Sequence, residues 1–110
     1  MTEKVYFLDD EEQLCLVFQE YMEAFGINTK VFINPHEAIT SANNEPPLMM
    51  FIDYRLPGTT GDKVALSIPS NIRKILVTGE LNVEVGDEFE MVIKKPYKLA
   101  QLKELVDQLG

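Results

Sequence analysis

Short, unbroken apolar runs alternate with amphipathic stretches along the chain. The runs are Val5–Leu8 (VYFL), Leu48–Ile52 (LMMFI), Ile75–Val77 (ILV) and Met91–Ile93 (MVI). Apolar residues at successive positions suit a strand covered on both faces, so these four segments predict inner strands of a parallel sheet. Thr29–Phe32 (TKVF) is more polar and suits a fifth strand at a sheet edge. Between the runs, Leu14, Val17, Phe18, Tyr21 and Phe25 recur at helical spacing and Gly26 follows as a stop, which predicts an amphipathic helix over about Glu11–Phe25. Cys15 and Met22 lie beside that stripe and Leu16 on another flank; they read either as further core or as an exposed docking patch. Asn34 before Pro35 is a cap and first-turn pair, opening a helix that runs to about Asn43. A short helix is predicted from Asp62 to just before Pro69, and Leu99, Leu102, Leu105, Val106 and Leu109 form the buried stripe of a last helix.

Strands alternating with helices specify an α/β architecture: a parallel sheet with right-handed crossovers and helices on both faces. At 110 residues the chain is long enough for one domain with its own core, and the loop-like NNEPPL stretch is too short to divide it. The formal charge of −8 argues against a binder of nucleic acid, whose affinity rests on Lys and Arg neutralising phosphates. A single cysteine, Cys15, forms no internal disulfide, and the first residues, MTEKVYFLDDEE, lack the basic region and long apolar core of a signal peptide. No apolar run approaches the ~18 residues of a membrane span. These features together lead us to expect a cytoplasmic protein.

In a parallel sheet whatever follows each strand collects at one edge, where open α/β folds bind ligands. Here that set is Asp9-Asp10, Asp53, Thr78 and Lys95. Singly, each has an ordinary reading: a helix cap for Asp9-Asp10, turn chemistry for Asp53 and Thr78, a solvated charge for Lys95. Jointly they bring three carboxylates, a hydroxyl and an ammonium to one place. Two like charges about 5 Å apart repel by roughly 3 kcal/mol at an effective dielectric near 20, so three carboxylates need more counter-charge than one lysine supplies. A hard divalent cation such as Mg²⁺ takes such oxygens readily. A carboxylate beside it can act as a nucleophile toward a phosphoryl group, with the threonine and lysine bonding the phosphoryl oxygens.

The motifs FLDDEE (Phe7–Glu12), FIDYRLPGTTG (Phe51–Gly61), ILVTGE (Ile75–Glu80) and IKKPY (Ile93–Tyr97) stand in this order, and over essentially its whole length the chain resembles the receiver domain of two-component response regulators. The resemblance implies a three-layer, flavodoxin-like fold with sheet order 2-1-3-4-5 and a single receiver domain over residues 1–110. It implies Asp53 as the phosphoacceptor, with Thr78 and Lys95 contacting the phosphoryl group. Mg²⁺ would be held by Asp10, Asp53 and the backbone carbonyl of Arg55, with Asp9 acting through a water. The Lys95-Pro96 peptide would be cis. The phosphodonor would be a histidine kinase or a histidine phosphotransfer protein, and a downstream protein, unidentified, would read the signal; neither nucleic acid nor membrane is expected as a partner. Such a module accepts and loses its own phosphoryl group and is not a turnover enzyme. The alternative is a pseudo-receiver that binds proteins without phosphorylation. A phosphohydrolase of the haloacid dehalogenase-like kind wants a second aspartate two residues after the nucleophile, where this chain has Arg55.

Three features depart from the family pattern or modulate it. Between Thr78 and Lys95 too few residues remain for a full helix and its connections, and Leu81, Val83 and Val85 alternate with period two before Gly86; the usual fourth helix should be reduced or absent. Its face commonly serves output and dimerisation, so the oligomeric state is open. Val92 stands where the family usually has an aromatic switch residue. Arg55 and Glu80 each lie two residues past a key position, where they would pair across the pocket rim; such a pair either screens attacking water or is an exposed ion pair of little weight. His36 reads as a surface residue of the second helix.

Overall fold

The computed structural model describes residues 5–109. The terminal residues Met1–Lys4, on which the leader reading partly rests, and Gly110 lie outside this range. Five strands form the main sheet: β1 (Val5–Leu8), β2 (Thr29–Phe32), β3 (Met49–Asp53), β6 (Arg73–Thr78) and β7 (Met91–Lys94). Two short strands, β4 (Arg55–Leu56) and β5 (Thr59–Thr60), make a small hairpin. The helices are α1 (Glu12–Ala24), α2 (Pro35–Asn44), α3 (Gly61–Leu66) and α4 (Leu99–Leu109). Main-sheet order is β2-β1-β3-β6-β7, all parallel, which is the expected 2-1-3-4-5 once the hairpin is set aside. Among the described residues no helix is long and apolar enough to cross a membrane.

Strand alternation divides the core into two layers. On one side of the sheet Tyr6, Leu8, Met50, Ile52 and Leu76 meet α2 and α3 through Ala38, Ala42, Val64 and Ala65. On the other, Val5, Phe7, Met49, Phe51, Ile75 and Val77 meet α1 and α4 through Cys15, Phe18, Met22, Leu102, Leu105 and Val106. Phe18 stacks on Phe7 at 4.2 Å between ring centroids and presents its edge to Phe51 at 5.6 Å. The start of α2 follows the predicted cap: Asn34 Oδ1 accepts from the backbone N–H of His36 (2.8 Å) and of Glu37 (3.2 Å), with Pro35 in the first turn. His36 is exposed, as expected.

Two expectations need correction. The buried stripe of α1 is Cys15, Phe18 and Met22, whereas Val17 and Phe25 are 47% and 54% exposed. Cys15 and Met22 are therefore core and not a docking patch; apolar residues cover so much of this helix that periodicity alone does not choose the inward face. Second, the MVI run is an edge strand and not an inner one, with Met91 and Val92 exposed and Ile93 alone buried. An apolar run of three residues carries no record of how many neighbours its strand has.

Residues 79–90 form no helix, as their spacing predicts. They cross one face as a strap whose Val83, Val85 and Phe89 pack against the core layer of α2 and α3. The Glu90 N–H donates to the Lys74 carbonyl (2.8 Å), and Glu90 pairs with Arg73 at 3.0 Å. Lys94 pins the other end: its Nζ donates to the carbonyls of Glu80 (2.8 Å) and Leu81 (3.0 Å).

Gly61 opens α3 at the point of closest approach to β3. A Cβ there would lie 2.6 Å from the Asp53 carbonyl oxygen and 2.9 Å from Leu76 Cδ1. Alanine would gain helix propensity, but backbone overlap at this distance outweighs it. Gly61→Ala should lower the unfolding free energy by about 1–3 kcal/mol in a urea titration; a variant as stable as the parent would show that α3 can move away freely.

Candidate functional site

The C-terminal ends of β1, β3, β6 and β7 bring the predicted residues together. Asp9 follows β1, Asp53 ends β3, Thr78 ends β6 and Lys95 follows β7. Register fixes the spacing across the edge: Asp53 lies opposite Val77, and Thr78 opposite Lys94. The Tyr54 N–H donates to the Val77 carbonyl (2.9 Å) and the Lys95 N–H to the Thr78 carbonyl (2.8 Å), extending the ladder one step beyond the strands. The Lys95-Pro96 peptide is cis, as the resemblance implies.

One ammonium holds two buried carboxylates. Lys95 Nζ stands 3.0 Å from Asp9 Oδ2 and 3.2 Å from Asp53 Oδ1. Asp9 is tied on its other side, where Oδ1 accepts the N–H of Glu11 (2.9 Å); Glu11 is itself the N-cap of α1 and the helix has no side-chain cap bond, so Asp9 belongs to the cluster and does not cap the helix. The Cys15 thiol donates to the Asp9 carbonyl (3.2 Å), fixing the backbone below it. Asp10 is exposed at the rim. Carboxylate oxygens of Asp9, Asp10 and Asp53 lie within 4.8 Å of one another.

The electrostatics follow from that crowding. Burial, and then the charge of Asp9, push the Asp53 carboxyl up to about 6 against the opposing pull of Lys95. For Lys95, burial works against the charged form, but the bonds and charges of Asp9 and Asp53 prevail and hold its pKa above the ordinary value. Three carboxylates facing one ammonium leave an excess of negative charge at a site rich in oxygen donors. That donor set suits a hard divalent cation, so the residues present fit one.

Thr78 is buried beside the cluster, and its Oγ1 accepts the Glu80 N–H (3.0 Å), leaving the hydroxyl proton free to point elsewhere. Arg55 and Glu80 pair as expected: Arg55 Nη2 and Nε lie 2.6 and 2.9 Å from Glu80 Oε1, with both side chains exposed. Val92 is exposed on β7 and makes no part of the carboxylate cluster.

Two residues were missed by sequence reasoning. Nothing in the sequence singles out Lys94, yet its Nζ anchors the backbone of Glu80 and Leu81, just past Thr78. Tyr97 lines, with Leu14, Lys95 and Pro96, a hollow of about 320 Å³ beside the site. Its buried hydroxyl makes no hydrogen bond among the described residues, and burial, then the Asp9 charge, push it up to about 12. Only its place in IKKPY could have flagged it.

No protein-family model matches the sequence. The chain is 25% identical to "Sporulation initiation phosphotransferase F" of Bacillus subtilis (strain 168) over 114 residues, covering 96% of this chain and 92% of that protein. Its fold matches a CheY-like response regulator receiver domain of Methanospirillum hungatei with a TM-score of 0.85 and 20% identity, covering 99% of this chain and 97% of that one. A response regulator protein of Thermotoga maritima, in complex with Mg(2+)-BeF, matches with a TM-score of 0.85 and 21% identity over 98% and 99% of the two chains. Sheet order and the placement of these residues at the strand ends match the fold of response regulator receiver domains, and the sequence is similar to that one phosphotransferase.

The raised pKa of Asp53 has a consequence for stability. Its folded value lies above the roughly 3.9 of a free aspartate, so its contribution is greatest below that pH and is lost as pH rises through about 6. In EDTA, Asp53→Asn should therefore raise the unfolding free energy by about 1–3 kcal/mol at about pH 7.5 and change it little near pH 4. Equal stability of the two proteins at the higher pH would contradict the crowding. Burial, then the Asp9 charge, also raise the Cys15 thiol to about 11, so iodoacetamide should leave the native protein unmodified at about pH 8 while alkylating it in urea.

Proposed function

We propose that residues 1–110 form one cytoplasmic receiver unit that takes a phosphoryl group from a phosphohistidine onto Asp53 and thereby changes its affinity for a partner protein. The observation that carries this reading is the Lys95 ammonium set between two buried carboxylates of a three-aspartate cluster. A carboxylate oxygen of Asp53 attacks phosphorus, the P–N bond of the donor breaks, and the imidazole leaves with that electron pair. The product is an acyl phosphate on Asp53. Lys95, already within reach of Asp53, donates to a phosphoryl oxygen, and the Thr78 hydroxyl donates to another while its oxygen keeps the Glu80 N–H.

Mg²⁺ would supply positive charge at the transferring oxygens, held by Asp10, Asp53 and the Arg55 backbone carbonyl, with Asp9 acting through water. The phosphodonor is a histidine kinase or a histidine phosphotransfer protein. Acceptance and loss of the phosphoryl group are the only chemistry this reading requires of the chain. The pseudo-receiver alternative is not favoured, because it leaves the convergence of all five residues without a purpose.

The Arg55–Glu80 pair spans from the hairpin to the strap, and we assign it the role of shielding the acyl phosphate from attacking water. The conformational response starts at Thr78 and passes to the strap through the Glu80 N–H, since Val92 offers neither an aromatic ring nor a hydroxyl.

Intact mass after incubation with acetyl phosphate and Mg²⁺ tests the central reading. A gain of one phosphoryl is expected, absent with EDTA and in Asp53→Ala. No gain where another receiver is labelled, and none with a histidine kinase, would leave the pseudo-receiver. With the phosphorylated protein in hand, Arg55→Ala should lose its phosphoryl group severalfold faster; an unchanged rate would reduce the pair to an exposed contact.

A further inference from the structure

The strap leaves one flank of α3 without a covering element. Leu66, at the end of α3, is 74% exposed. Beside it lies a groove of about 300 Å³ whose lining includes Leu66, the buried Ile68 and Ile72, and the carboxylates Asp87, Glu88 and Glu90. The strap, residues 79–90, carries five carboxylates and no basic residue. Within the groove, three carboxylates face one ammonium, that of Lys74. This ammonium is turned away into the carbonyls of Pro69 (2.9 Å) and Ile72 (3.3 Å), so it is not offered to a ligand. Glu90 is engaged by Arg73, while Asp87 makes no ion pair among the described residues.

We propose that this groove is a protein-docking surface whose occupant is a partner segment presenting a leucine-like side chain flanked by lysine or arginine. The exposed Leu66 and the apolar lining beside it take the aliphatic group, and the strap's unpaired carboxylates take the flanking cations. Charge selects among occupants. A nucleic acid or an acidic segment is repelled by the strap, and a second copy of this chain, at −8, would set acid against acid. The proposal does not rest on phosphoryl acceptance: the groove is formed by α3 and the strap at rest. The strap also begins at the Thr78–Glu80 bond, so occupancy of the groove and the state of the site share one element.

The test uses the whole unphosphorylated chain and a short fluorescent peptide with leucines along one face and lysines beside them, titrated by anisotropy. Saturable binding is expected. Leu66→Ser leaves the charge unaltered and should weaken it about tenfold, the loss of one buried leucine contact. Asp87→Lys with Glu88→Lys should abolish it, whereas Glu20→Lys with Glu23→Lys on exposed positions of α1, the same change in charge, should alter it less than about twofold. No saturable binding, an unaffected Leu66→Ser variant, or equal loss from both charge reversals would overturn the proposal. Because no phosphodonor is present, failure here says nothing against the role of Asp53.

Discussion

The structure depends on the meeting of Lys95 with Asp9 and Asp53 at one edge of the sheet. Two buried carboxylates in contact with a single ammonium are an arrangement that a fold holds only when its backbone leaves no choice. Parallel pairing supplies that constraint. β1, β3, β6 and β7 point the same way, so residues 86 positions apart in sequence meet within a hydrogen bond. The apolar layers on both faces keep the strands in register, and Gly61 lets α3 close against the Asp53 carbonyl. Core packing and site chemistry are thus one construction: the same pairing that buries Phe7, Phe51 and Val77 aims the residues that follow them.

The strap is the chain's distinctive solution to a shortened connection. A helix over β6 would cover the face with a wide apolar stripe; residues 79–90 cover it with three side chains, Val83, Val85 and Phe89, and fasten both ends by polar contacts. At one end Lys94 and Arg55 hold Glu80 and Leu81, and at the other Arg73 holds Glu90. Such exposed contacts are individually weak. A segment secured by a few apolar contacts and surface ion pairs opens at lower cost than a packed helix, as the proposed response at Thr78 requires.

Much of this was legible in the sequence for physical reasons. The apolar runs VYFL, LMMFI and ILV mark strands because a doubly covered strand has no polar face, and their order with the helices fixes which ends converge. The five site residues followed from that topology. The missing helix was legible too, since period-two alternation around Gly86 does not sustain a helical stripe. What escaped was anything decided by tertiary context. The α1 face was misjudged because Leu14 to Phe18 are apolar at every position, and the edge position of β7 because a short run does not count its neighbours. Lys94 reaches carbonyls that only the fold brings near, and Lys74, beside the apolar run Ile75–Val77, is buried because Pro69 and Ile72 offer it carbonyls.

The sheet edge gathers more negative charge than Lys95 neutralises, and its oxygen donors suit a divalent cation. Thermal unfolding at neutral pH, with Mg²⁺ added to EDTA-stripped protein, measures this most directly, with Asp10→Asn as the comparison because its exposed side chain leaves the core untouched. A melting temperature that climbs with Mg²⁺ is expected in the parent, as for any ligand that binds the folded state alone, with a much smaller rise in the variant. A melting temperature indifferent to Mg²⁺, or one that rises equally in both proteins, would contradict it.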